Sequence, residues 1–156
     1  MTGIRNKGAF VNHIEQINEK LQQEDAEQKP AFAIVIFDCN DLKQINDHYG
    51  HDHGDDYLKT TSSLICRIFA HSPVFRLGGD EFGVILQNAD YDNRDSLMKQ
   101  FDRTVKEENL QKRNPWEKVN VSKGMAVYTP NVDEDASSVV TRADQKMYEN
   151  KNQYHA

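Results

Sequence analysis

The chemistry of this chain is suggested first by three carboxylates. Asp80 and Glu81 are adjacent, at the tip of the stretch FRLGGDEFGVIL that runs from Phe75 to Leu86. Apolar residues alternate on either side (Phe75 and Leu77, then Phe82, Val84 and Leu86), the period of two half-buried strands joined by a turn. Gly78 and Gly79 suit a turn because glycine accepts positive φ, but a turn has no need of an Asp-Glu pair. The third carboxylate is Asp38, at which an apolar run from Ala31 to Phe37 stops. Taken alone, Asp38 reads equally well as the side-chain cap of a short helix that follows. If the hairpin lies beside the Ala31–Phe37 strand, its tip comes close to Asp38. Three carboxylates so placed resist ionisation unless positive charge lies among them. A hard divalent cation meets that need, since Mg²⁺ takes oxygen ligands, keeps several waters and shares the rest with phosphates. A solvated acidic turn is the plainer reading of Asp80-Glu81, and it explains the glycine pair and the strand-end Asp38 less well.

The segment DCNDLKQINDHYGHDHGDDYL, which begins at Asp38, supplies groups suited to a nucleotide. Lys43 suits phosphate. Asn46 and Asp55 offer an amide and a carboxylate, and guanine presents an acceptor at O6 and donors at N1 and N2 to match. The ordinary alternative for Asp55 is to cap a helix beginning after Gly54. Other motifs fail on inspection. Gly3 and Gly8 have the spacing of a phosphate-binding P-loop, but Ala9 and Phe10 follow where Lys and Ser or Thr belong. DCNDLK starts like a calcium loop, then places Leu42 and Lys43 where a ligand and the turn glycine are required. His48, His51 and His53 cluster without a clean zinc-ligand pattern. No Ser/His or Cys/His nucleophile pattern is visible, and Cys39 reads as packing or backbone.

These residues sit in a chain of 156 residues, 37% hydrophobic and 28% charged, sized for one globular domain with a substantial core. A formal net charge of -6 argues against a nonspecific grip on nucleic acid or anionic membrane, though not against one nucleotide held through a metal. The longest apolar run is too short to span a bilayer, and no signal peptide is visible, so no membrane insertion is expected and a cytoplasmic setting is. Cys39 and Cys66 do not suggest a disulfide scaffold.

The periodicities predict a helix from Lys7 to Gln28, with Phe10, Ile14, Ile17 and Leu21 on one face, and a doubly buried strand from Ala31 to Phe37. A short helix follows from Asp41 to Tyr49, closed by Gly50, and another from Asp55 to Ala70. After the hairpin come a helix over about Asp92 to Leu110, a strand or hairpin around Val119 to Tyr128, and a last helix from about Ala136 to Glu149. The expected fold is a single α+β domain built on an antiparallel pair.

In five blocks, in order, the chain resembles the GGDEF family, the diguanylate cyclase domains of bacterial signalling. RLGGDEF carries the signature itself. MTGIRNKGAF resembles the opening LTGLxNRxxF without the preceding Asp, and FDCNDLKQINDHYGHDHGDDYL resembles DxDxFKxxNDxxGHxxGDxxL. VNVSKGMAVY is similar to the strand vtvSiGvA, and TRADQKMYENK to the helix ADxALYxAK. The resemblance implies a palm-like, ferredoxin-like sheet flanked by helices, akin to nucleotidyl cyclases and polymerase palms. It implies condensation of two GTP into cyclic di-GMP with release of two pyrophosphates.

By the same resemblance, Asp38, the carbonyl of Cys39 and Glu81 hold Mg²⁺, for which Mn²⁺ could substitute, and Asp80 joins the metal site or acts as base on the 3′-hydroxyl. Asn46 and Asp55 read guanine with His51 nearby, and Lys43 and Lys151 meet phosphates. Asp41 and Leu42 replace the more usual pair before Lys43, in what the family uses as a backbone phosphate cradle. Catalysis would need a homodimer, because each domain holds one GTP. Residues 1–156 are expected to be one such domain, excised from a longer protein with an N-terminal sensory or dimerisation domain. The inhibitory RxxD positions are here Phe69 and Ser72, so product inhibition through that site is not expected, and Tyr154, His155 and Ala156 replace the usual GRN. The alternative function is a catalytically silent GTP-binding module that regulates a neighbour.

Overall fold

The computed structural model describes residues 3–23 and 29–155. In chain order the elements are β1 (Ile4–Arg5), α1 (Lys7–Gln23), β2 (Phe32–Cys39), α2 (Leu42–Tyr49), α3 (His51–Ile68), β3 (Val74–Arg76) and β4 (Glu81–Gln87). They continue as α4 (Asn88–Asp92), α5 (Arg94–Asn109), a 3-10 turn at Pro115–Glu117, β5 (Val121–Val127) and α6 (Ala136–His155). The five strands form one sheet in the order β1-β3-β4-β2-β5. All neighbours are antiparallel except β1 and β3, a short parallel pair that the apolar pattern did not announce.

β2 is buried along its whole length, FAIVIFDC, with a strand on either side and helices on both faces. That explains its unbroken apolar run where a one-faced strand would alternate. Ala33, Val35, Phe37 and Cys39 face a core built with α2, α3 and α5, in which Phe37 meets Phe101 at 5.1 Å between ring centroids. Ile34 and Ile36 face the other core, against α1 and α6. The α1 stripe of Phe10, Ile14, Ile17 and Leu21 is buried as its spacing requires, and Asn6 caps the helix, accepting from Ala9 N at 2.9 Å. The end expected for this helix at Gln28 lies outside the described residues.

Several boundaries differ from expectation. β2 does not stop at Asp38 but runs on through Cys39, because Cys39 N donates to Asp80 O at 2.8 Å and residue 39 still pairs with Val121. Asp38 therefore does not cap a helix. α3 starts at His51, so Asp55 lies inside it and is no cap either. Gly50, at φ 92, both ends α2 and starts α3, a backbone that favours glycine. The helix expected over about Asp92 to Leu110 is α5, which starts at Arg94 and is preceded by a separate short helix, α4, that was not expected. Val121–Val127 is a single strand, and α6 continues past Glu149 to His155.

α6 approaches the sheet closely because Gly124 has no side chain. A Cβ there would stand 2.2 Å from Met147 N and 2.4 Å from Ala143 O, both helix backbone that cannot swing aside. Gly124→Ala is expected to destabilise the domain by roughly 3 kcal/mol, at the upper end for overpacking. That lowers the Tm by roughly 6–12 °C, which a thermal melt would show.

The loop into α6 is fixed by an ion pair whose carboxylate is buried and whose guanidinium is partly exposed. Arg142 Nε donates to Asp133 Oδ1 at 2.9 Å, and Arg142 Nη2 donates to Asp133 Oδ2 at 2.5 Å and to Val127 O at 2.6 Å. Burial works to raise the Asp133 carboxyl, but the Arg142 guanidinium and the Thr129 N–H outweigh it and hold it below the usual carboxylate value. A depressed carboxylate stabilises the fold above the ordinary Asp pKa, and loses that contribution as pH falls through the lower folded value. Asp133→Asn is therefore expected to cost about 2 kcal/mol at neutral pH. In denaturant titrations the gap between variant and parent closes as pH drops below about 4.

Candidate functional site

β2 and β4 place the acids. Asp38 and Glu81 are register partners across the two strands, and Asp80 precedes Glu81 in the turn, its carbonyl tied to Cys39 N. Alternation along β2 turns Asp38 to the face shared by Ile34 and Ile36, the α6 side. There Lys151 Nζ donates to Asp38 Oδ2 at 3.0 Å, while Asp38 Oδ1 is buried with no hydrogen-bond partner. Burial pushes the Asp38 carboxyl up, the Lys151 hydrogen bond opposes this, and the neighbouring Asp80 charge adds to the rise. Glu81 is raised by burial, then by the charges of Asp144, Asp38 and Asp80, with Lys7 opposing. The net effect is an electronegative corner in which charged carboxylates are held at a cost.

The acids do not form a closed cage. Among the described residues no three His, Cys, Asp or Glu side chains converge closely enough to hold a metal ion by themselves. That arrangement still suits Mg²⁺, which is commonly bound through one or two carboxylates together with water and substrate phosphate. The unpaired Asp38 Oδ1 and the crowding of negative charge are the observations that a cation would resolve. Burial pushes the Cys39 thiol up to about 12, so this residue can offer its carbonyl but not a thiolate.

α2 and α3 position the base-reading candidates. Asn46 packs on Gly54 so closely that a Cβ there would stand 1.7 Å from Asn46 Oδ1. This brings the amide to the first turns of α3, with Asp55 the next residue along. His51 opens α3 and Lys43 lies in the first turn of α2, both exposed. His53 does not gather with His48 and His51 around a common point but stacks on Trp116, with ring centroids 3.9 Å apart.

The glycine pair gives a correction. Neither Gly78 nor Gly79 has positive φ, and a Cβ on either would meet nothing within 4 Å. The turn is held by Arg76, whose Nε donates to Gly78 O at 3.1 Å and Nη2 to Gly79 O at 2.8 Å. Among the described residues nothing crowds these glycines, and their missing side chains leave the turn open on its outer side. A groove of about 760 Å³ lies elsewhere, between α2, α5 and β5, lined among others by Asn40, Asp41, Tyr57 and Asn120 and by none of the three acids. Sequence reasoning did not find Asp144, Lys7 or Arg76. Asp144 had a signal, since it lies seven residues before Lys151 and so on the same face of α6.

A five-stranded sheet flanked by helices, with paired acids at its central strands, is a palm-like α+β domain. The family model for "Diguanylate cyclase, GGDEF domain" matches residues 1–156, and the chain belongs to that family. It is 32% identical over 154 residues to the uncharacterized protein YhcK of Bacillus subtilis, covering 97% of this chain and 42% of that protein. It is 33% identical over 89 residues to an uncharacterized membrane protein of Staphylococcus epidermidis, covering 56% of this chain and 24% of that one. The chain thus spans less than half the length of these relatives. In fold it matches the coiled coil and GGDEF domain of DgcB from Caulobacter crescentus, a structure in complex with c-di-GMP. The TM-score is 0.79 at 24% identity, covering 97% of this chain and 78% of that one. Among the described residues no helix is long and apolar enough to cross a membrane.

Proposed function

We propose that the chain is an active diguanylate cyclase domain, condensing two GTP into cyclic di-GMP across a homodimer. The observation that carries this is Asp38 paired across the sheet with Glu81, one of its oxygens buried without a partner. Asp38, the Cys39 carbonyl, Glu81 and Asp80 would hold Mg²⁺, or Mn²⁺ in its place. Bound there, the cation would lower the pKa of the attacking hydroxyl and neutralise charge on the phosphates. The chain's own groups do the rest. Asn46 and Asp55 orient guanine, with His51 beside them. Lys43, Lys151 and the backbone of the turn from β2 to α2 take the phosphates.

In each half-reaction the 3′-oxygen of one GTP forms a bond to the α-phosphorus of the other. The bond to pyrophosphate breaks, and the hydroxyl proton passes to Asp80 or to solvent. Two such steps in opposite senses close the ring. Each domain presents one nucleotide, so two copies must face each other, and the glycine turn leaves room for that approach. A preceding segment would bring the copies together in a longer parent. The Staphylococcus relative named a membrane protein supports an anchored parent with this domain in the cytoplasm. Product inhibition through an RxxD site is not expected, since Phe69 is buried against Phe37 and Ser72 Oγ is bonded to Asp90.

The test is product formation from GTP and Mg²⁺ at increasing protein concentration, beside an Asp80→Ala, Glu81→Ala control. Output per domain that climbs with concentration and is absent from the control supports the reading. GTP binding without product, even in a protein dimerised through a fused coiled coil, identifies a silent receptor instead.

A further inference from the structure

Tyr154, in the last turn of α6, stands where the resemblance would place glycine. Its hydroxyl donates to Asp41 Oδ2 at 2.6 Å and accepts from Asn120 Nδ2 at 3.0 Å. The same network continues inward. Asn40 Nδ2 donates to Asn120 Oδ1 at 3.0 Å, Ser122 Oγ donates to Asn40 Oδ1 at 2.9 Å, and Tyr57 OH donates to the carbonyls of Asn40 and Asn120. α6 therefore reaches the two carboxylates at either end of one short stretch, Asp38 through Lys151 and Asp41 through Tyr154.

Asp41 is the residue this network acts on. It is the N-cap of α2 and lies at φ 63, ψ 25, a left-handed backbone that glycine adopts freely and Asp and Asn more readily than other residues. An Asp at an N-cap ordinarily folds its carboxylate over the first-turn N–H groups. Here it makes no side-chain cap hydrogen bond, and its carboxylate lines the groove beside Asn120. The two facts have one cause. Tyr154 and the backbone turn hold the charge sideways, so the positive end of α2 is not covered by it.

We infer that Tyr154 is a positioning residue for the nucleotide: by holding Asp41 toward Asn120 it keeps a carboxylate off the first turn of α2 and leaves those N–H groups to phosphate. This rests on the reading of the site as a GTP site. Without the phenol hydroxyl, Asp41 is free to leave the left-handed conformation for the extended one of an ordinary N-cap, where its carboxylate covers the first-turn N–H groups and competes with, and repels, the triphosphate.

The test is the affinity of a non-hydrolysable GTP analogue with Mg²⁺, measured by calorimetry well below the Tm for the parent, Tyr154→Phe, Asp41→Asn and the double variant. Tyr154→Phe is expected to bind about five- to tenfold more weakly, the upper range for one ordinary hydrogen bond. Asp41→Asn should bind at least as well as the parent, and adding Tyr154→Phe to it should change affinity less than twofold. Parent-like affinity in Tyr154→Phe, with only a lower Tm, overturns the inference and leaves a structural tether. An equal loss in the Asp41→Asn background overturns it too, because the effect then does not run through the charge. A folded parent that fails to bind the analogue removes the GTP reading itself and this inference with it.

Discussion

Asp38→Asn or Glu81→Gln is expected to abolish cyclic di-GMP formation, by on the order of 10³-fold or more, with a Tm no lower than the parent's. The two halves of this result have one origin. Each carboxyl is held with its pKa raised by burial and by negative neighbours, so the charged form opposes folding in the absence of a cation. An amide of the same shape removes that opposition. At Asp38 it also keeps an acceptor for Lys151 Nζ, so the α6 contact need not be lost. Function runs the other way, because a neutral amide is a poor ligand for a hard cation. Product assays beside thermal melts decide it. Inactive variants that also melt well below the parent would make these acids structural, and variants that retain product would remove them from the chemistry.

Gly54→Ala is expected to raise the KM for GTP by roughly 10- to 100-fold, about 1.4–2.7 kcal/mol. It should also erode the preference for GTP over ATP. The added Cβ would fall 1.7 Å from Asn46 Oδ1 and 2.9 Å from its Cγ. Both are atoms of a side chain, so the clash is relieved by turning Asn46 out rather than by moving backbone. Stability should therefore fall by only about 1 kcal/mol, while the amide leaves the place from which it would meet guanine. A site that has lost a base-reading hydrogen bond discriminates less, since the wrong base no longer leaves a polar group unpaired. Affinities for GTP and ATP measured side by side give the answer. If GTP binding survives intact in a variant whose Asn46 has moved, Asn46 is not a base reader.

What the sequence revealed and what it hid differ in kind. The strand carrying Ala33 to Phe37 was plain because burial on both faces leaves an unbroken apolar run, and the alternation around Gly78-Gly79 gave the facing strand. Together they made the meeting of Asp38 and Glu81 foreseeable. The end of β2 was not, because Asp38 looks like a stop until one knows that Asp80 O and Val121 continue the ladder past it. α3 begins four residues before Asp55 in a stretch of His, Asp and Gly, with poor helix propensity, which the packing of α2 on α3 overrides. The glycine signature was read correctly as a turn and wrongly as a φ requirement. Asp41 and Tyr154 were unreadable as a pair because the contact joins residues 113 positions apart.

The position of Asp38 on β2 also fixes how the site behaves in time. Its strand lies between β4 and β5 with both faces covered, and the Cys39 amide beside it is hydrogen-bonded to the turn that carries Asp80. Amides in such a strand exchange with solvent only through the largest openings of the molecule. The Asp38 side of the acid corner is therefore expected to open only with the domain as a whole. Deuterium uptake at Cys39 should match the slowest core amides rather than those of the surface turns. A site so built cannot be switched off by loosening it, and on the proposed cyclase reading this leaves nucleotide occupancy and the encounter of two domains as the quantities open to control.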